Sequence, residues 1–493
     1  MSATAYQSLC QKSREIALLG NTMGVLGWDQ ETYMPKGGVQ YRAKQLAWLS
    51  GKVHELSTSS EFQQDLEAAE NGTDGKDLIE AANLREFRHQ FNRATKLPQS
   101  LVERASEAAS LAKVAWAESR EKSDFTLFAP HLSILLDIAR EKADRWGYED
   151  EPYDALLSNY ERAAKTSEVA AMFDSVAPEL ADIAREAVKR SAETPNLIPD
   201  TEYPIEQQQQ LNREIAEDIG FDFNKGRIDT TTHPFCTGIG PKDTRLTTRY
   251  LLNDFTSSLF GVLHEAGHGL YDQGLPEDQH GLPVGDSSSL GIHESQSRLW
   301  ENHVGRSRPF WSKWLPRAQE IFPQLSKLDL DGFLTSINRA ETSFIRVESD
   351  EATYDLHILL RFGIEREILN GSIAVNDIPE AWNSRFEKLM GMTPPNDGQG
   401  CLQDIHWAMG GLGYFATYTL GNFNAAQLHH RAMQDQKVAS AFNQADFIPL
   451  LNWMRTHIHN HGCTYLPQDL IERASGQTTT PQYHIDHLKQ RYL

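Results

Sequence analysis

The sequence predicts a mainly α protein with one small β element, on three observations. Apolar residues recur at three- and four-residue spacing through long stretches rich in Ala, Glu, Leu, Lys and Arg, the period of amphipathic helices. Thr-rich, strand-like runs are confined to the stretch between Arg227 and Tyr250. Hydrophobic residues make up 40% and charged residues 23% of 493, the balance of a soluble globular chain, and no window approaches the roughly 18 uninterrupted apolar residues of a membrane span. The length alone suggests about three domains, and one large helical unit with two lobes accommodates it equally.

Residues 1 to about 190 read as successive amphipathic helices, a helical lobe. Pro195, Pro199 and Pro204 interrupt the pattern, and Gln207–Gln210 read as the exposed start of the next helix rather than as low-complexity disorder. Arg227–Phe235 and Arg245–Tyr250 are the strand candidates, separated by Gly238, Gly240 and Pro241. They are expected to form a small antiparallel hairpin or sheet beside the following helix, serving structure alone or pairing with an extended peptide backbone. In that helix Leu259, Phe260, Val262, Leu263, Ala266 and Leu270 form the apolar face; Asn253, Asp254 or Thr256 caps its start, and Gly269, Gly274 and Pro276 stop it. After the loop Gly281–Gly291, a polar helix spans Ile292–Asn302.

The first of these two helices contains His264-Glu265-Ala266-Gly267-His268. Two imidazoles four residues apart share one helical face and can bind one metal ion, with the intervening glutamate beside it as general base. Ordinary core or surface histidines are the bland alternative. A catalytic zinc site, however, takes three protein ligands and leaves one position for water, and Glu294 arrives one loop later as the leading third ligand. Glu301, two turns beyond Glu294, could face the same groove or solvent.

Amide hydrolysis by activated water also needs donors to the oxyanion and a grip on the substrate. Gly400–Asn422 offers glycines for close backbone approach together with His406, Tyr414 and Tyr418, a composition shared with tightly packed aromatic turns. Cys10, Cys236, Cys401 and Cys463 form no C-x-x-C pair, so neither a disulfide framework nor a thiolate metal site is expected. The net charge of −21 argues against a nucleic-acid partner. The first ten residues lack the basic start and apolar core of a signal peptide, which makes the cytoplasm the expected location and no membrane partner is foreseen. His457, His459 and His461 have no acidic or cysteine ligand to complete a second metal site and read as surface or core histidines.

Six motifs extend the pattern: His233-Pro234-Phe235, Asp243-x-Arg245-x-Thr247, H-E-x-x-H at 264–268, His293-Glu294-Ser295-Gln296, Ile345-Arg346-x-x-Ser349-Asp350, and Gly400-x-x-Gln403-Asp404-x-His406-Trp407. With them, and with Trp28–Pro35, the chain resembles the carboxypeptidase Taq (M32) family of metallocarboxypeptidases over essentially its whole length. The resemblance implies a helical, two-lobed fold with a deep groove, similar to that of neurolysin and angiotensin-converting enzyme. It implies one Zn2+ per chain on His264, His268 and Glu294, a ligand set that also accepts Co2+ or Mn2+, with Glu265 as general base and proton shuttle. The activity implied is release of single C-terminal amino acids from peptides, broad in specificity with proline disfavoured, by a homodimer. His406 and Tyr418 are similar in spacing to the oxyanion-stabilising pair of related helical metallopeptidases, with Tyr414 the competing tyrosine. A planar guanidinium suits the substrate's terminal carboxylate, and Arg346 and Arg245 are the candidates; Asp350 and Asp243 could instead hold them in structural ion pairs. Two rivals stay open: a zinc-dependent oligoendopeptidase with the same catalytic residues, and a non-catalytic helical protein that keeps a structural zinc.

Overall fold

The computed structural model describes residues 4–73 and 75–493, and these fold mainly as α-helices with one three-stranded sheet. The chain begins with α1 (Ala5–Thr32), α2 (Val39–Ser57), α3 (Ser60–Gly72), α4 (Leu78–Lys96) and α5 (Gln99–Lys122). It continues with α6 (Ala129–Trp146), α7 (Pro152–Leu157), α8 (Thr166–Glu193) and α9 (Ile205–Asp218). The strands β1 (Gly226–Thr230), β2 (Cys236–Gly240) and β3 (Asp243–Thr248) lead into α10 (Phe255–Asp272) and α11 (Leu290–Arg298). Then come α12 (Arg308–Ile321), α13 (Leu330–Ile337), α14 (Glu351–Asn370), α15 (Ile378–Met390) and α16 (Ala416–Ala432). The last helices are α17 (Gln436–Asn443), α18 (Ile448–His457), α19 (Pro467–Ser475) and α20 (Gln482–Tyr492).

The backbone separates into two compact units, each built from discontinuous segments. Met1–Thr95, Leu197–Ile337 and Gln427–Thr478 make the first; Lys96–Asn196, Asn338–Ala426 and Thr479–Leu493 make the second. The helical run up to about residue 190 is therefore shared between the two, an arrangement set by long-range packing rather than by any break in periodicity near Thr95.

In the first unit, Leu9, Phe62, Leu66, Leu84, Phe87 and Phe91 pack α1, α3 and α4 together. The sheet order is β1-β3-β2, with β1 parallel and β2 antiparallel to β3. The two runs expected to make an antiparallel hairpin thus pair in parallel, and the hairpin partner is β2, part of the stretch read as a turn. Gly238 and Gly240 hide that strand because glycine has low strand propensity. Gly238 nevertheless has a reason to be small, since a Cβ there would stand 3.1 Å from Asp272 Oδ2. Leu246 of β3 is buried against α10, while Arg227 and Arg245, in register across β1 and β3, set their guanidiniums 5.2 and 4.3 Å from the Trp28 ring. The Trp28–Pro35 run is held to this sheet by Tyr33 OH donating to Asp229 at 2.6 Å and Thr231 Oγ1 donating to Glu31 O at 3.0 Å.

Asp254 is the α10 cap, accepting from the backbone N–H of Thr256 and Ser257. Of the glutamines at 207–210, Gln208 is buried, donating to Tyr203 O and Leu251 O at 2.7 Å each, so this helix start is not simply exposed. In the second unit the nearly enveloped α14 packs with α6, α7, α8, α15 and α20 around a core that includes Phe173, Leu180, Phe362, Trp382, Phe386 and Leu488. Asp355 on α14 accepts from Thr419 Oγ1, Asn422 Nδ2 and His484 Nε2 at 2.7–2.8 Å, joining the helix to α16 and α20.

Candidate active site

Helix periodicity places His264 and His268 one turn apart on α10, their rings edge to face at 5.0 Å. Gly267 between them explains how a third ligand reaches the pair. A Cβ on Gly267 would lie 2.5 Å from Gln296 O and 2.6 Å from Ser297 Cα, so only glycine lets α11 pass this close to α10. The crossing delivers Glu294: its Oε2 lies 3.8 Å from His264 Nε2 and 3.5 Å from His268 Nε2. Ligand atoms about 2.0–2.2 Å from one tetrahedral ion stand about 3.4 Å apart, so the three residues fit a metal without rearrangement. His264, His268 and Glu294 each offer a ligand atom within 4.8 Å of the others.

The remaining ring nitrogens are already committed. His264 Nδ1 pairs with Glu301 Oε2 at 2.8 Å, and His268 Nδ1 faces both the carbonyl oxygen of His293, at 3.1 Å, and its Nδ1, at 2.5 Å. Such partners fix the tautomer and leave each Nε2 facing the same point, able to ligate a metal. Glu301, weighed from the sequence as another ligand, thus orients His264. His293 lies against His268 and is itself held by Asp272 Oδ1 at 3.0 Å. Arg298 links Glu294 (2.7 Å) to Glu301 (3.3 Å). Burial would raise the Glu294 carboxyl, but Arg298 and His264 outweigh it and hold it well below the usual carboxylate range. Glu265, buried among other carboxylates, is pushed up to about 7 by that burial. Burial lowers His268 to about 4. A cluster rich in carboxylates, with two imidazole nitrogens facing one point, is suited to a divalent cation.

The other candidates belong to the second unit, apart from Arg245. Asp404 is bridged on Oδ1 by Arg346 (Nη2 2.8 Å, Nε 3.2 Å) and on Oδ2 by Arg361 (Nη2 2.6 Å, Nε 2.7 Å). Burial works against the Asp404 charge, and the two arginines overcome it and keep the carboxyl far below its ordinary value. Arg346 also donates to Tyr354 OH at 2.8 Å and lies 4.9 Å from the Tyr418 ring. Its ion-pair partner is Asp404, not the nearby Asp350, which caps α14. Arg245, in the first unit, pairs bidentately with Asp243 at 2.8 Å on both contacts.

His406 packs on Phe415, with ring centroids 4.4 Å apart, and its Nε2 is 3.4 Å from Tyr418 OH. Its Nδ1 has no hydrogen-bond partner among the described residues. Burial lowers the ring to about 4, so it is neutral near pH 7. Tyr414 lies edge-on to Tyr160 at 5.1 Å and 5.3 Å from His406. The histidines at 457–461 divide: His459 is buried, its Nε2 2.9 Å from Gln296 Oε1, and the triplet supplies no metal cluster among the described residues. Sequence reasoning missed the bridging role of Asp404, with Arg361, and the partnership of Asp272 with His293; only the long-range fold joins the first pair, whereas the Glu294, Arg298, Glu301 spacing was readable as helix neighbours.

Comparison with known proteins gives a uniform result. The family model described as Carboxypeptidase Taq (M32) metallopeptidase matches residues 8–492. The chain is 38% identical to Thermostable carboxypeptidase 1 of Thermus thermophilus, covering 99% of this chain and 98% of that one. Identity to Carboxypeptidase 1 of Bacillus subtilis is 35%, covering 97% and 96%. The crystal structure of the M32 carboxypeptidase from Deinococcus radiodurans R1 superposes with a TM-score of 0.96 at 35% identity, covering 99% of this chain and 98% of that one.

Proposed function

The chain belongs to the carboxypeptidase Taq (M32) metallopeptidases and is a metal-dependent carboxypeptidase; we propose that it removes single C-terminal residues from peptides using His264, His268 and Glu294 as the metal ligands and Glu265 as general base. The observation that carries this reading is the convergence of three ligand atoms within 4.8 Å while both histidine Nδ1 atoms are held by other groups. A His2Glu donor set favours Zn2+, with Co2+ or Mn2+ able to occupy it. The ion, when bound, supplies Lewis acidity toward the scissile carbonyl and toward water.

Glu265 accepts the proton of the attacking water and returns it to the leaving amine; a carboxyl raised to about 7 is matched to that exchange near neutral pH. In the second unit, His406 and Tyr418 donate to the developing oxyanion. Arg346 is the better assignment for the terminal carboxylate. Asp404 and Tyr354 hold its Nε, Nη2 and Nη1, yet each terminal nitrogen carries a second N–H, and the Tyr418 ring is 4.9 Å away. Arg245 and Tyr414 line the substrate's path in this reading. A broad side-chain preference with proline disfavoured, one peptidase unit over 1–493, a neurolysin-like groove-bearing fold, and a cytoplasmic homodimer complete it, supported by the family likeness.

The test is mass spectrometry of one unblocked peptide and its C-terminally amidated twin, each incubated with the metal-loaded enzyme and with Glu265→Gln. Stepwise loss of single residues from the free peptide only, abolished by the substitution, is expected. Equal internal cleavage of both peptides would replace the carboxylate grip with endopeptidase action.

A further inference from the structure

Buried polar residues of α14 hold the segment that carries His406, Tyr414 and Tyr418 at three points. Arg361 takes its start through Asp404, and Asp355 takes its end through Thr419 and Asn422. Glu365 takes the middle. It is fully buried and accepts from Trp407 Nε1 at 2.8 Å on one oxygen, and from Gly413 N at 3.0 Å and Tyr153 OH at 2.8 Å on the other. Trp407 directly follows His406, and Gly413 directly precedes Tyr414.

The turn between them cannot anchor itself. Gly413 has φ +90°, and a Cβ there would meet the backbone of Leu156 at 2.8 Å, so no side chain can fix this point. An indole N–H, a backbone N–H and a phenol O–H converge instead on one carboxyl group inside an apolar core. We propose that Glu365 is a positioning residue of the hydrolytic reaction: by holding Trp407 and Gly413 it fixes both ends of the turn and thereby the aim of His406 and Tyr414. The proposal rests on the reading of His406 as an oxyanion donor. Burial pushes the Glu365 carboxyl up to about 7 while its three donors pull it down. Glutamine cannot replace it, because its single oxygen leaves an NH2 group facing either Trp407 Nε1 or Gly413 N, donor against donor.

The experiment compares the metal-loaded wild type, Glu365→Gln, His406→Gln and the double variant, measuring kcat and KM on an unblocked peptide alongside metal affinity. Glu365→Gln should lower kcat by about 10- to 100-fold with KM and metal affinity little changed, the cost of a misaimed donor. Added to His406→Gln, it should lower kcat by no more than about threefold, because the group it positions is already gone. Unchanged kcat in Glu365→Gln, or full multiplication of the two effects, overturns the positioning role while leaving His406 as a donor. Unchanged kcat in His406→Gln overturns the donor reading itself, and the positioning role with it. Should Glu365→Gln not fold, Trp407→Phe removes the indole donor and keeps an aromatic ring; a loss in kcat alone, non-multiplicative with His406→Gln, is then expected, and a multiplicative one refutes the role.

Discussion

In the first unit the buried Glu294 and the half-buried Glu301 share Arg298, Arg306 stands 3.9 Å from Glu301, and Glu265 adds a further buried carboxyl whose charge is opposed by the other two. In the second, a single carboxylate, Asp404, lies between two buried guanidiniums. The first cluster is short of positive charge at the point where His264, His268 and Glu294 converge, and the proposed metal ion would supply it. The second has its countercharge within the fold, one carboxylate answering two guanidiniums and leaving a net positive charge. Buried charge is tolerated only when compensated, and the source of the compensation decides what a substitution disturbs. Changes to the first cluster should therefore be felt in turnover and metal affinity, and loss of the second's only carboxylate first in folding stability.

The largest expected effect comes from Glu265, the one carboxylate of the first cluster that the proposed mechanism makes neither a metal ligand nor a ligand's partner. Glu265→Gln should lower kcat on the order of 10^3-fold with metal content and melting temperature nearly unchanged, since a neutral amide fills the same volume and cannot accept the proton. Retained turnover in the metal-loaded variant would remove Glu265 from the mechanism. Next is Asp404→Asn, which leaves Arg346 and Arg361 buried with no countercharge. Breaking such a cluster costs about 3–5 kcal/mol, to be read as a lower urea midpoint, while metal affinity in the folded variant stays as in the wild type. A stability change under about 1 kcal/mol would show that the second cluster is not the structural counterweight described here.

Glu301→Gln separates the two regions from the other side. It should weaken metal binding by about 10- to 100-fold, measured by competition against a chelator, because His264 loses the carboxylate that fixes its tautomer. Its urea midpoint should move little. A stability loss without a change in affinity would reverse the assignment.

The same contrast explains what could be read in the sequence. The first cluster was legible because its parts are local. His264, Glu265 and His268 share two turns of one helix, and Glu294, Arg298 and Glu301 follow at helical spacing. Even Gly267, which looks like a helix weakener, marks the crossing that brings α11 in. The second cluster joins residues 43 and 58 positions apart, and nothing in periodicity pairs Arg361 with Asp404. Asp350 was the obvious neighbour for Arg346 and turned out to be a helix cap. The sheet failed for a related reason: β2 is a strand because its neighbours pair with it, in spite of two glycines.

The smallest prediction concerns the residues packed behind the proposed metal ligands. His459 is fully buried, with Nε2 2.9 Å from the Oε1 of Gln296, which follows Glu294 by two positions. Burial, with Arg455 and His293 adding to it, lowers this ring from 6.5 to about 3. The ring is therefore neutral in the folded chain and gains a proton on unfolding below about pH 6.5, so its contribution is complete above that value and is lost as the pH falls toward 3. Between about pH 7.5 and 5.5 the wild type should lose about 1.4 kcal/mol more stability than His459→Gln, which keeps a donor toward Gln296 and cannot titrate. Parallel pH profiles for the two proteins would mean that His459 takes up its proton as readily in the fold as in the unfolded chain. The neutral backing of α10 and α11 would then be lost, and with it part of the contrast between a cluster that lacks its countercharge and one that carries it within the fold.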